Sequence, residues 1–215
     1  MFTGLVAAVG RIVEVSPQDG GPQAGVRLDI DAGGLDLAGV RIGDSIAVQG
    51  ACMTVIALPA PGHFQVDVSR ESLARTVGLD QPGEVNLEKS LCVGDQIGGH
   101  LVSGHVDGLG EVVRFDPVGE SRELVIRVPR ELARYLAYKG SVTVNGISLT
   151  VNRVTDDARG CEISINIIPH TQMVTTLRNV QRGARVNLEI DTIARYVERM
   201  LSLARTQSDN GIAEL

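Results

Sequence analysis

Apolar and polar residues alternate with period two along most of this chain, in short runs separated by glycine-rich turns. Val26, Leu28 and Ile30 fall on one side of a run ending at Asp31, the pattern of a half-buried strand. Residues 63–69, 123–128 and 161–168 read the same way. The clearest turn is Asn145-Gly146, between a strand over 141–144 and one that begins near Ser148. Asn-Gly tolerates positive φ at both positions and is the strongest short hairpin signal.

The pattern occurs twice. Residues 41–55 repeat at 137–151, so that Gly50 meets Gly146, Cys52 meets Ser148 and Thr54 meets Thr150 at an offset of 96. The opening run 4–15 repeats at 104–115, offset 100. Arg70-Glu71-Ser72-Leu73 pairs with Pro169-His170-Thr171-Gln172 at offset 99, and residues 83–88 pair with 184–189 at offset 101. Each half then holds about six short strands and one small helix, placed at 130–136 in the second half and, more weakly, at 31–39 in the first. Regularly spaced turns fit a closed antiparallel barrel, which leaves no exposed edge, better than a sandwich. The Gly-containing segment 90–99 joins the halves, with the boundary near Gly98.

After Asp191 the period changes. Ile193, Tyr196, Val197, Met200, Leu201 and Ala204 recur at three and four spacing, predicting an amphipathic helix of about four turns. Its apolar stripe packs on its own barrels or meets copies of itself. The polar tail from Thr206 is expected to be unstructured.

Charge and composition narrow the function. The 215 residues carry 20 basic and 26 acidic groups, net −6, with no basic block, which excludes the phosphate-binding footprint of a nucleic-acid binder. Aromatics make up 3% and Trp is absent, so base-stacking platforms are also missing. Cys52, Cys92 and Cys161 are odd in number and include no CxxC, which implies free thiols in a reducing compartment. The apolar opening stops at Arg11 with no basic flank before it, so no signal peptide is expected. No run reaches the length of a membrane span. The expected location is cytoplasmic.

Candidate chemistry clusters in the repeats. Cys52 follows a turn and is either a small buried hydrophobe or a group that meets ligand. Ser148 and Thr150 share a strand face, as hydroxyls for local backbone or for a polar ligand. His100 and His105 sit five apart in Gly98-Gly99-His100-Leu101-Val102-Ser103-Gly104-His105. The further ligands a zinc site needs are not evident, whereas proton transfer near neutral pH stays open. Asp191 precedes the last helix and reads first as an N-cap. Lys139 reads first as a solvated charge.

Taken together, Met1-Phe2-Thr3-Gly4, residues 98–106, Asn145-Gly146-Ile147-Ser148-Leu149-Thr150-Val151, Ile168-Pro169-His170-Thr171 with Thr175-Thr176-Leu177, and Val186-Asn187-Leu188-Glu189-Ile190-Asp191 resemble the riboflavin synthase family, alpha-chain type, over Met1 to about Leu203. The resemblance implies an all-β fold of two duplicated six-stranded antiparallel Greek-key barrels. It places lumazine-binding barrels at 1–97 and 98–195 and a trimerisation helix and tail at 196–215. It implies a homotrimer and a cofactor-free, metal-free transferase that dismutates two molecules of 6,7-dimethyl-8-ribityllumazine into riboflavin and 5-amino-6-ribitylaminouracil. An association with lumazine synthase is left open. Partners among nucleic acids and membranes are not implied.

By the same resemblance, Gly4, Leu5, Val6, Cys52, Met53, Thr54, Asp67, Val68, Ser69, Arg70, Glu71 and Ser72 form one ligand cradle. Gly104, His105, Val106, Lys139, Ser148, Leu149, Thr150, Ile168, Pro169, His170, Thr171, Gln172 and Met173 form the other. Cys52, His105, Ser148, Thr150 and Asp191 are the catalytic candidates. The chain departs from the family pattern at Gln49-Gly50-Ala51-Cys52-Met53-Thr54, where Asn commonly stands in place of Gln49. Gln is expected to loosen that turn. The rival reading is an antenna protein of the same fold that binds lumazine or flavin and catalyses nothing. Intact Cys52, Ser148, His105 and second cradle favour the enzyme. A ligand-free structural barrel comes third.

Overall fold

The computed structural model describes the backbone of residues 1–212 and the side chains of residues 1–204 other than Pro22. The first barrel contains β1 (Ala8–Pro17), β2 (Val26–Asp31), β3 (Ser45–Val48), β4 (Ala51–Ala57), β5 (His63–Val68) and β6 (Gly83–Lys89), with α1 (Arg70–Arg75) between the last two strands. The second contains β7 (Gly108–Val118), β8 (Ser121–Pro129), β9 (Ser141–Val144), β10 (Ile147–Asp157), β11 (Gly160–Ile167) and β12 (Arg185–Ile190). Its helices are α2 (Arg130–Ala133) and α3 (Pro169–Val174), and α4 (Thr192–Ile212) follows. Both sheets close, in the same order: β1-β2-β5-β4-β3-β6 and β7-β8-β11-β10-β9-β12. β3, β4 and β5 are consecutive neighbours, and β2 returns by a long connection to lie beside β5, which is a Greek key.

Inward positions carry the core. Ile12, Leu28, Ile30, Phe64, Val66 and Leu87 fill the first barrel, and Val112, Leu124, Ile126, Ile163, Ile165 and Leu188 the second, all fully buried. Each such side chain stabilises the fold by about 1.5–3 kcal/mol. Bulges fall at matching places, at Val13 and Val113 and at Ile56 and Asn152. A bulge bends a strand and increases its twist, which lets six short strands close on themselves.

The structure corrects several expectations. Residues 31–39 form turns and no helix: Asp31 accepts from Gly33 N (2.8 Å) and Asp36 from Ala38 N (2.8 Å), and such local bonds compete with a helix. Helix α2 stops at Ala133, short of Leu136. Helices α1 and α3 fall where the sequence showed only a repeat. Ser69 caps the first, its Oγ accepting from Ser72 N (3.0 Å), and Pro169 starts the second. The repeated runs that open at Gly4 and Gly104 enter their strands only four residues later, because the preceding residues leave their own barrel. The backbone of α4 stays helical to Ile212, so the expected unstructured tail does not hold for 206–212, and 213–215 lie outside the described residues.

The barrels meet turn against turn. Gly50 (φ +87) and Gly146 (φ +82) stand back to back, so close that a Cβ on Gly50 would lie 2.6 Å from Gly146 N. Gln49 takes φ 51 and Asn145 φ 50, so Gln49 keeps the turn it was expected to loosen. Its longer side chain still accepts from Asn86 N (2.9 Å), as Asn145 accepts from Asn187 N (2.8 Å). Asn86 Nδ2 then donates to Asn145 O (2.8 Å), and Asn187 Nδ2 to Gln49 O (2.9 Å). Gly50→Ala and Gly146→Ala should each lower the urea midpoint well beyond Gly119→Ala. Gly119 has φ +60 but open space around it, so that control reads only the backbone cost of about 1–2 kcal/mol.

Candidate functional site

Two straps lie between the barrels. Residues 2–4 and 100–104 run antiparallel, with Phe2 N donating to Val102 O (2.7 Å), Val102 N to Phe2 O (3.0 Å) and His100 N to Thr3 O (3.1 Å). Each strap docks on the barrel that is not its own. Ser148 N donates to Gly4 O (2.8 Å), and Cys52 N donates to Gly104 O (2.7 Å). Gly4 (φ +75) and Gly104 (φ +77) are needed for this approach, since a Cβ would lie 2.6 Å from Ser148 Cβ and 2.7 Å from Cys52 Cβ. Val6 packs on the second barrel's core and Val106 on the first's. The expected grouping is therefore exchanged: Gly4, Leu5 and Val6 go with Ser148, and Gly104, His105 and Val106 go with Cys52.

The two cradles differ in chemistry. Ser148 Oγ lies 2.7 Å from His100 Nδ1, and His100 Nε2 lies 3.3 Å from Thr143 Oγ1. Burial lowers the pKa of His100, against the opposing charge of Asp191. The ring is thus neutral at pH 7, with one nitrogen donating and the other accepting. Cys52 packs with Phe2, Ala47 and Val102, and its thiol makes no hydrogen bond among the described residues. The repeat thus puts a histidine-linked hydroxyl in one cradle and an apolar thiol in the other.

The remaining candidates are more dispersed. Thr54 and Thr150 are exposed two residues beyond Cys52 and Ser148, Met53 is buried in the first core, and Leu149 packs on the second. Asp67 points outward to Arg27 (2.8 Å), Val68 is core, and Arg70 and Glu71 are exposed. Ile168, Pro169, His170 and Met173 are exposed, with Thr171 and Gln172 half-buried. No hydrogen bond or ion pair ties 67–72 or 168–173 to Cys52 or Ser148 among the described residues. His105 is exposed next to Gly104. Asp191 caps α4, its Oδ1 accepting from Ile193 N (2.8 Å). Lys139 holds φ +63 where its repeat counterpart is Gly43 (φ +97), and its Nζ donates to Asn152 Oδ1 (2.8 Å).

Two carboxylates that sequence reasoning used only as repeat markers grip the straps. Glu88 accepts from Thr3 N (2.6 Å), Thr3 Oγ1 (2.7 Å) and Gly4 N (3.0 Å). Glu189 accepts from Ser103 N (2.6 Å) and Gly104 N (2.9 Å). Burial raises both pKa values, that of Glu189 to about 7, against the lowering effect of these donors.

The family model for the lumazine binding domain matches residues 3–90 and again 103–191. Riboflavin synthase of Photobacterium phosphoreum is 44% identical over 203 residues, covering 94% of this chain and 89% of that protein. The chain belongs to the riboflavin synthase family. Riboflavin synthase of Mycobacterium bovis is 40% identical over 212 residues, covering 95% of this chain and all of that protein. Among solved structures, LumP complexed with riboflavin superposes with a TM-score of 0.75 at 23% identity, covering 88% of this chain and 99% of that one. The likeness to LumP shows a shared fold.

In this member of the riboflavin synthase family, Glu189 gives a test by pH. Its pKa is about 7 in the folded chain against an ordinary 4.5. Between those values the folded state holds more protons than the unfolded one, so its contribution to stability falls as pH rises. Relative to Glu189→Gln, the wild-type urea midpoint should therefore drop from pH 4.5 to about 7. A constant difference between the two proteins would show that Glu189 does not titrate in this window.

Proposed function

We propose that this chain catalyses the dismutation of two molecules of 6,7-dimethyl-8-ribityllumazine. One gives up a four-carbon unit to the other, yielding riboflavin and 5-amino-6-ribitylaminouracil. The observation that carries this reading is the exchanged strap contact, which builds two similar cradles from one duplicated fold and puts different groups in them. A reaction between two copies of one substrate needs that combination: the same ring bound twice, with different fates. Full-length relatives named riboflavin synthase support the same reading. Electrons move between the two substrates, so the reaction balances without an external oxidant.

Ser148 and His100 form a two-member proton relay. The hydroxyl faces the ring, and neutral His100 takes or returns its proton through Nδ1. The proton at issue comes from the C7 methyl of one lumazine, whose carbanion delocalises into the ring. Cys52 lines the other cradle with a polarisable, apolar surface. A lysine held at positive φ costs about 1–2 kcal/mol relative to glycine, and Lys139 bears that strain with its ammonium held by Asn152 Oδ1. Stacking of the two rings supplies proximity.

The chain acts as a homotrimer in the cytoplasm. Support for assembly comes from α4, whose Ile193, Tyr196, Val197, Met200 and Leu201 are exposed in the single chain, Met200 at 73%. The two cradles that face each other across a reaction then belong to neighbouring subunits. Among the described residues, no helix is long and apolar enough to cross a membrane.

Purified protein incubated with 6,7-dimethyl-8-ribityllumazine should form one riboflavin for every two substrates consumed. Binding without riboflavin would make the chain a carrier. His100→Ala and Ser148→Ala should each lower kcat by about 10²-fold, and the double variant should be little worse, because members of one relay are not additive. Independent losses would separate the two residues. Deleting residues 200–215 should reduce the trimer seen by light scattering together with turnover. A fully active monomer would overturn the shared site.

A further inference from the structure

Among the described residues the two glutamates that grip the straps make no hydrogen bond to Cys52 or Ser148, yet each holds the backbone that does. Glu88 is the last residue but one of β6 in the first barrel and is 8% exposed. The strap it holds gives Gly4 O to Ser148 N in the second cradle. Glu189 is the last residue but one of β12 in the second barrel and is 2% exposed. Its strap gives Gly104 O to Cys52 N in the first cradle. We propose that Glu88 and Glu189 are crossed positioning residues: each, from the last strand of one barrel, fixes the ligand cradle of the other barrel. The proposal rests on the reading that these cradles hold substrate.

The chemistry of the contacts supports it. An ionised carboxylate only accepts, and its two oxygens offer about four acceptor sites. Thr3 N, Thr3 Oγ1 and Gly4 N converge on the two oxygens of Glu88. A glutamine would set an NH2 against one of these donors and push the strap away. Gly4 and Gly104 occupy left-handed backbone that no side chain of their own secures. Their carbonyls would move with the strap, and a displacement of about 1 Å at a reacting group can cost about 10² in rate. A general stabilising role would affect both cradles alike. A crossed positioning role affects them one at a time.

Two readouts test this. In double-mutant cycles on kcat, Glu88→Gln should lower turnover by about 10²-fold and add little to Ser148→Ala, while multiplying with Cys52→Ala. Glu189→Gln should show the reverse coupling. The second readout needs no activity: nitrogen-15 NMR of the Ser148 and Cys52 amides, which donate to Gly4 O and Gly104 O. Glu88→Gln should shift the Ser148 amide and leave the Cys52 amide, and Glu189→Gln should shift the Cys52 amide and leave the Ser148 amide. Coupling of Glu88 to Cys52, or equal effects of both variants on both reporters, would overturn the proposal. The expected NMR pattern in a wild-type protein that makes no riboflavin would leave the proposal standing and remove the catalytic reading. If either Gln variant does not fold, Thr3→Val removes one of the three bonds to Glu88, and Glu189→Asp shortens the other clamp. The same selective pattern is expected of each.

Discussion

Everything in the relation between the barrels depends on one contact without side chains, the backing of Gly50 on Gly146. Only at that separation can Asn86 and Asn187 each bond a turn carbonyl of the opposite barrel. Their Oδ1 atoms are also used, accepting from Thr176 N (2.9 Å) and Val77 N (2.8 Å). A buried amide leaves few alternative poses once its donors and acceptors are all engaged. The network thus fixes one orientation of the two halves. The straps can cross only because that orientation holds.

Crossing changes what the duplication means. Two tandem barrels with private binding sites would each be complete alone. Here Cys52 is walled by Gly104 and Ser148 by Gly4, so neither cradle exists without the other half of the chain. The repeat supplies the common shape, and single departures from it supply the chemistry. Ser148 stands where Cys52 does, and it alone has a histidine at 2.7 Å. On the proposed reaction, that difference gives identical rings different protonation partners, which a symmetric pair of sites could not do.

Much of the fold was legible because it follows local rules. Period-two runs gave the strands, Asn145-Gly146 the hairpin, and offsets of 96 to 101 the duplication. Where local rules compete, the reading failed. Asp31 and Asp36 turned a weakly helical stretch into turns, and Gln49 adopted the conformation expected of Asn because the Gly50–Gly146 contact and Asn86 hold it there. The resemblance supplied Cys52 and Ser148, but the partners of the straps are 144 residues away for Gly4 and 52 for Gly104. No periodicity reports contacts at such distances. One signal was present and unread: Val-Asn-Leu-Glu recurs within the last strand of each barrel, and a glutamate repeated in a buried strand needs a partner.

That glutamate is costly to bury. Its carboxylate loses water, and burial together with the nearby charge of Asp107 raises the pKa of Glu189 against the lowering pull of the strap donors. An apolar residue would pack against a barrel rim without this penalty. It would also leave the N–H groups of Ser103 and Gly104 unpaired, and it could not distinguish one strap position from another half an ångström away. A carboxylate with its donors at 2.6 and 2.9 Å can. The fold therefore gives up stability at two matching points, and both lie one strap residue away from the groups where the repeats diverge in chemistry. That placement fits a demand for position at the cradles better than a demand for adhesion between barrels, which the asparagine network already meets.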